Sequence, residues 1–162
     1  MTNGILPCIA RRAIADRKGA AFMELALVLP VLLFMFAGMV DVSRYVCAAI
    51  ETEQAAQRTT AYALAKRPNG SDATYLRNEA AAAAGVPTGD VTADIFLECD
   101  GVRQTKFNNP CPVGQTSARF VSVSIKRTVQ FQFDWQTLAG MFGARVAAPS
   151  MTVTGDSLVR IQ

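Results

Sequence analysis

Residues 20–40, AAFMELALVLPVLLFMFAGMV, govern the organisation of this chain of 162 residues. The stretch is apolar throughout, and Glu24 is its only charged residue. As an α-helix it would be about 31 Å long, close to the roughly 30 Å hydrocarbon core of a bilayer. A buried helix of a soluble protein is the alternative, but such helices seldom run so long without a polar interruption. The stretch therefore predicts a membrane span.

The charges beside the span predict its orientation. Of the 16 lysines and arginines in the chain, four precede Ala20, and Asp16 is the one acidic residue among them. Basic flanks stay in the cytoplasm, so the part of the chain after Asp41 is expected to be exported to the periplasm. From Ala20 onward, the remaining 12 basic residues are matched by 12 acidic residues, so the net charge is zero. The basic charge of the chain therefore belongs to its N-terminal tail, and the exported part gives no indication of nucleic-acid binding.

The span is expected to remain in the mature protein. A secretory signal has an apolar core of about 7–15 residues followed by a cleavage site of small residues. The present stretch is longer and no convincing site of that kind follows it. Cys47 follows Arg44, Tyr45 and Val46, which are too large for a lipoprotein signal.

Gly19 and Glu24 set this span apart from a simple anchor. A carboxylate in an apolar span is unfavourable by roughly 2.5–3.5 kcal/mol near its centre, although one near the end can also extend to the interface. The order of residues here resembles the prepilin processing site of type IV pilin-like proteins. In that order, basic residues precede Gly19, and a glutamate follows the glycine five positions later. The resemblance implies cleavage by a membrane peptidase between Gly19 and Ala20. It also implies that Glu24 pairs with the new amino terminus of a neighbouring subunit and sets subunit register.

Residues 17–44, RKGAAFMELALVLPVLLFMFAGMVDVSR, resemble more specifically the N-terminal region of TadE-like proteins, which are pseudopilins or minor pilins of the tight-adherence (Tad/Flp) pilus system. The resemblance is carried by Gly19, Glu24, residues 26–33 and residues 38–44. Leu25 departs from it, because the family commonly has an aromatic residue there. The implied partners are the membrane, a prepilin peptidase, other pilin subunits and the Tad assembly machinery.

The helical pattern continues beyond the span to about Lys66. Apolar and small residues recur at steps of three and four, which predicts a face that packs on the protein's own domain. The members of this predicted stripe are Val42, Val46, Ala49, Ile50, Ala56, Thr60, Ala63 and Leu64.

The remainder of the chain is predicted to be a small α+β domain. Ser71 or Asp72 is expected to cap a second helix that ends near Ala84, before Gly85. Alternating apolar residues predict strands at 91–97 and 121–135, with a bend or bulge at Arg127, and a last strand at 151–161 that Gly155 interrupts. Residues 136–142 are expected to form a short helix or loop. The expected fold class is a long N-terminal helix, a second helix and an antiparallel pilin-like sheet. The predicted boundaries are a leader at 1–19, a span with periplasmic extension at 20–67, and a periplasmic domain at 68–162.

The cysteines and the absence of histidine constrain the chemistry. Cys99 and Cys111 flank a polar loop and are expected to form a disulfide in an oxidising compartment. The chain has no histidine, so a catalytic triad and a Cys–His pair are excluded, and neither a metal nor a cofactor is expected. Two functions remain. One is a minor pilin or pseudopilin that takes part in building an adherence pilus, and the other is an uncleaved single-pass protein whose domain binds an envelope component.

Overall fold

The structure is a computed structural model that describes residues 17–68, 70–141, 143–145 and 150–162, with side chains from Phe22 onward. The predicted leader lies outside the described residues except for its last three positions. The chain divides into two compact units, the first extending to Val42 and the second covering Ser43–Gln162. Each unit is described by itself below.

The first unit consists of the apolar part of helix α1. This helix covers Arg17–Ala65, with Pro30 inside it. Among the described residues, it is the one helix long and apolar enough to cross a membrane, with a mean hydropathy of 2.4 in its most apolar window. The predicted long apolar N-terminal helix is therefore confirmed, and its length and composition fit a single membrane span.

Helix α2, Thr74–Ala84, begins and ends close to the predicted positions. Gly85 follows it with φ 65°, a left-handed conformation that glycine adopts without a steric penalty. The N-terminal cap differs from the prediction, because Ala73 occupies the capping position. Asp72 acts from one position earlier, where its Oδ1 accepts the backbone N–H of Thr74 at 2.9 Å and the hydroxyl at 2.6 Å. These two hydrogen bonds, the hydroxyl first, hold the pKa of Asp72 below its usual value.

In the part of the chain that the structure describes, four antiparallel strands form one sheet in the order β2-β1-β3-β4. A short 3-10 turn at Thr88–Asp90 leads into β1, and helix α3, Trp135–Met141, lies between β3 and β4. The α+β prediction is confirmed, and the two-residue edge strand β2 is an addition to it. The strands are β1 Val91–Cys99, β2 Val102–Arg103, β3 Ser117–Gln130 and β4 Ser150–Arg160.

The odd-numbered residues of β1 and β3 form the buried face, as their alternation predicts. They pack with α2 and with the second-unit part of α1 in one hydrophobic core. Small side chains dominate the helical half of this core. Its helix α1 and α2 members are Ala55, Ala56, Ala63, Leu76, Ala80, Ala81 and Ala84.

The predicted packing stripe of α1 is only partly correct. Ala56, Thr60 and Ala63 are buried, but Val42, Val46, Ile50 and Leu64 are exposed. The sheet packs on a face of alanines and threonines, because short side chains let the backbones approach closely. The buried threonine hydroxyls donate to carbonyl oxygens one turn earlier: Thr52 to Ala48 at 2.7 Å and Thr59 to Ala55 at 2.9 Å.

A bend or bulge was predicted at Arg127, and the structure has no bulge there. The register between β3 and β4 is unbroken from Phe120↔Arg160 to Gln130↔Ser150. Arg127 is accommodated on the helix-facing side of the sheet because its Nη1 lies 2.7 Å from Oε2 of Glu51 on α1. Strand β3 ends at Gln130, so the aromatic residues that follow belong to the connection to β4.

Gly155 does not interrupt β4 either, since it pairs with Ile125 in the continuous ladder. Its role is in packing. A Cβ at this position would lie 2.6 Å from the carbonyl carbon and oxygen of Thr52 and 2.7 Å from the backbone nitrogen of Glu53. Glycine is therefore required where the backbone of α1 crosses directly over the strand.

A disulfide joins Cys99, at the end of β1, to Cys111, with their Cα atoms 5.7 Å apart. The loop that it closes contains β2 and Phe107, whose ring is buried in the core. Arg119 lies over this ring, 5.1 Å from its centroid. The disulfide thus holds a polar loop whose one large apolar anchor is Phe107.

Removing the disulfide is expected to lower the free energy of unfolding by about 3 kcal/mol, because a closed loop of this length restricts the unfolded chain. Urea unfolding of the full chain in detergent would measure this for Cys99→Ser combined with Cys111→Ser. Cys47→Ser removes an exposed cysteine that is not in a disulfide and serves as the control, with an unchanged midpoint. An equal midpoint for the double variant and the wild type would show that the cross-link contributes no stability.

Candidate functional site

The predicted cleavage position lies on α1. The described part of this helix starts at Arg17, so the bond between Gly19 and Ala20 has helical backbone on both sides. Glycine is less favourable than alanine in a helix by about 1 kcal/mol. Gly19 therefore weakens the helix locally at the predicted cleavage position.

Glu24 lies on α1 with its side chain exposed among exposed apolar residues. Within the part of the chain that the structure describes, its carboxylate has no hydrogen bond and no ion pair. Phe22 and Leu25 beside it are exposed as well. Glu24 is thus a negative charge on a helix surface that is otherwise apolar and suited to contact with lipid or with other apolar helices.

The apolar surface of the first unit is extensive. Nearly every large side chain between Phe22 and Met39 is more than two-fifths exposed. A soluble protein rarely exposes so large a contiguous apolar area, which marks a membrane or protein contact surface. The exposed members are Phe22, Met23, Leu25, Leu27, Val28, Leu29, Val31, Leu32, Leu33, Phe34, Met35, Phe36 and Met39.

In the second unit, α1 has a smaller exposed apolar patch, made by Val46 and Ile50. They lie four residues apart on one face and are 47% and 51% exposed. Sequence reasoning assigned both residues to the core. The signal that separates them is residue size: the buried face carries alanine and threonine, while the bulky residues lie on another face.

Residues 19–60 match the family model of TadE-like proteins. The similarity covers this segment, about a quarter of the chain. Comparison with curated proteins and with solved structures gave no significant match.

The TadE-like segment contains most of α1 and ends before the helix does. It starts at Gly19 and includes Glu24, Val46 and Ile50, so both predicted processing positions and the exposed patch of the second unit fall inside it. The sheet and α2 lie outside it. The family resemblance therefore covers the helix, and the α+β domain is known from the structure alone.

The described residues show no group of three or more cysteine, aspartate or glutamate side chains that could hold a metal ion. Asp94 and Arg103 pair across β1 and β2, with Arg103 also stacked over Phe96 at 4.2 Å from the ring centroid. This charged group is exposed and stabilises the sheet edge.

Proposed function

We propose that the chain is a minor pilin or pseudopilin that takes part in assembling a Tad/Flp-type pilus for surface adherence. It enters the inner membrane by its N-terminal helix, with the basic tail in the cytoplasm and the α+β domain in the periplasm. A prepilin peptidase cuts it between Gly19 and Ala20, and the mature helix then joins other pilin or pseudopilin subunits of the Tad machinery. The role is structural, with no catalytic step.

One observation carries this proposal: the TadE-like match begins at Gly19, and five residues later the exposed apolar helix bears the carboxylate of Glu24. A plain anchor has no need of either residue. Glycine provides the accessible backbone for cleavage, and cleavage creates a positively charged amino group on Ala20. Charge and position therefore make Glu24 the natural partner of such an amino group.

The pairing acts between subunits. In an apolar bundle an unpaired carboxylate is strongly unfavourable, so an assembly in which a neighbour's amino terminus reaches Glu24 is favoured over one shifted along the helix. Buried polar groups fix register in helical assemblies in this way. The exposed apolar side chains supply the association energy, and Glu24 supplies the alignment.

The second candidate is an uncleaved single-pass protein whose periplasmic domain binds an envelope component. The span, the sheet and the disulfide fit this function equally well. It gives no reason for Gly19 and Glu24 at their spacing or for a family match that covers the helix rather than the domain.

Deleting the chain in its own organism is expected to abolish or strongly reduce pili and surface attachment, with other envelope proteins unchanged. Electron microscopy would count the pili, and attachment to a solid surface would report adherence. Re-expression of the wild-type chain is the control and restores both. Wild-type pilus number in the deletion strain would contradict the proposal and favour the envelope-binding function.

A further inference from the structure

Four segments of the second unit meet at a cleft of about 270 Å³, which we call the arginine cleft. They are the residues after α1, the loop closed by the disulfide, the start of β3 and the end of β4. Among the described residues, the charged side chains that line the cleft are Arg67 and Arg119. Both lie outside the TadE-like segment, so the family resemblance assigns no role to this cleft.

The guanidinium of Arg119 is held in place but is only partly satisfied. It lies over the ring of Phe107, and its Nη1 donates a hydrogen bond to the side-chain oxygen of Gln162. Its Nε is buried and has no hydrogen-bond partner among the described residues. Buried polar groups of native proteins nearly always have a partner, so this exception points to a bound water or a ligand. Because the donor belongs to a cation, an anionic oxygen satisfies it better than a water does.

Arg67 brings a second positive charge to the same cleft. Its side chain is exposed and, within the part of the chain that the structure describes, makes no hydrogen bond and no ion pair. Two like charges at one cleft repel each other, and an anion bound between them removes this repulsion.

The acidic side chains nearest along the strands do not neutralise the cleft. Arg119 pairs with Leu97 and shares the odd-numbered face of the sheet with it. Glu98 belongs to the even-numbered residues, which lie on the opposite face. Asp100 is already engaged, because its Oδ1 accepts the backbone N–H of Thr116 at 2.8 Å. Among the described residues, no acidic side chain lines the cleft.

Gln162 brings no uncompensated negative charge either. Nε of Arg160 donates to the main-chain oxygen of Gln162 at 2.9 Å. A terminal carboxylate counted at Gln162 is therefore matched by Arg160. The positive charges of Arg67 and Arg119 remain.

We propose that the arginine cleft binds a phosphate group of a ligand from outside the chain. Guanidinium groups present planar forks of N–H donors that match the oxygens of phosphate and carboxylate groups. A phosphate monoester carries a charge of about −1.5 to −2 at pH 7, which balances two arginines, whereas a carboxylate balances only one. Phosphate oxygens accept from Arg67 and Arg119, and the side chain of Gln162, a neutral acceptor, gives way to them. The binding requires neither membrane anchoring nor pilus assembly.

The resonance of the Nε–H group of Arg119 reports directly on this site. The isotope-labelled full chain in a nonionic detergent would be titrated with inorganic phosphate and followed by nuclear magnetic resonance. We expect phosphate to shift this resonance saturably and to slow the exchange of its proton with water. Sodium chloride at the same ionic strength should have no saturable effect. No saturable shift with phosphate, or a shift that chloride reproduces, would overturn the proposal.

Arg67→Gln is expected to raise the dissociation constant for phosphate at least about tenfold, because it removes a charged hydrogen bond. The exposed position of Arg67 lets the fold tolerate this change. Arg67→Lys keeps the charge but loses the fork of donors, so its constant should fall between those of the wild type and Arg67→Gln.

Arg58→Gln is the matched control, because it removes an exposed arginine of α1 that does not line the cleft. It should change the dissociation constant by less than about twofold, since salt screens distant exposed charges. Equal weakening by Arg58→Gln and Arg67→Gln would show a general attraction of anions to the chain and would contradict a defined site.

A parallel titration with acetate tests the class of ligand. Phosphate is expected to bind at least about fivefold more tightly than acetate, because it carries more charge and more acceptor oxygens. Acetate that binds as tightly as phosphate would overturn the assignment to phosphate.

Discussion

Gly155→Ala is expected to lower the free energy of unfolding of the α+β domain by about 3 kcal/mol, the upper part of the usual range for overpacking. The added methyl group would lie 2.6 Å from two backbone atoms of Thr52. A flexible side chain could rotate away from such a contact, but a helix backbone cannot. Relief therefore requires α1 to move away from the sheet.

The loss extends beyond one contact. The face of α1 that packs on the sheet is made of alanines and threonines, which have no length with which to bridge a wider gap. Separation of the two elements would also weaken the hydrogen-bonded contact between the hydroxyls of Thr60 and Ser157, now 2.9 Å apart. Thr60 and Ser157 would then each lose a partner across the interface.

Urea unfolding of the full chain in detergent, followed by circular dichroism, measures the effect. Gly89→Ala is the matched control, because a methyl group there meets no atom within 4 Å. Its free energy of unfolding should stay within about 0.5 kcal/mol of the wild-type value. Equal midpoints for Gly155→Ala and the wild type would show that the close crossing of α1 and β4 does not exist in solution.

Glu24→Ala is expected to leave membrane insertion intact and to reduce assembled pili by about tenfold or more. Removing the carboxylate makes the span more apolar, so insertion has no reason to fail. Assembly loses a charged hydrogen bond with the neighbouring amino terminus, worth about 1.5–3 kcal/mol, and each 1.4 kcal/mol is tenfold in an equilibrium.

Pilus counts by electron microscopy, together with the amount of the chain in the membrane fraction, measure the two effects separately. Glu79→Ala removes an exposed carboxylate on α2 and is the matched control, with normal pilus number. Glu24→Asp keeps the charge on a shorter side chain and should fall between the two. A wild-type pilus count with Glu24→Ala would remove the pairing role from the proposed function.

Local patterns predicted much of this fold. The end of α2 at Gly85 follows from the conformational freedom of glycine, and the buried face of β1 and β3 follows from the period of two in their side chains. The disulfide between Cys99 and Cys111 was expected from two cysteines that flank a polar loop. The features predicted correctly depend on residues close together in sequence.

The features missed depend on contacts between distant elements. Arg127 interrupts an apolar face in the sequence, and only the pairing with Glu51 shows why the strand stays regular. From the sequence alone, Gly155 was predicted to interrupt the strand. The structure shows instead that the backbone of Thr52 lies directly over it and leaves no room for a side chain. The hydrophobic periodicity predicted that Val46 and Ile50 are buried, because it treats large apolar residues as core residues. The close contact between helix and sheet instead requires small residues.

The candidate site shows the same division. Gly19 and Glu24 were singled out by their spacing and by their resemblance to a prepilin processing site, and the TadE-like match begins at the first of them. Their roles stay predictions. The end of β3 was not predicted, because the alternation of Phe131 and Phe133 continues that of the strand. The pairing with β4 ends at Gln130, so these two residues belong to the connection between the strands.

The mass of the N-terminal peptide decides whether this helix is a processed pilin segment or a permanent anchor. The protein would be isolated from cells with an active prepilin peptidase and examined by mass spectrometry. Cleavage between Gly19 and Ala20 predicts a mature chain that begins at Ala20 and lacks the basic tail. A chain that still begins at Met1 in those cells would contradict processing and, with it, the pairing of Glu24 with a new amino terminus.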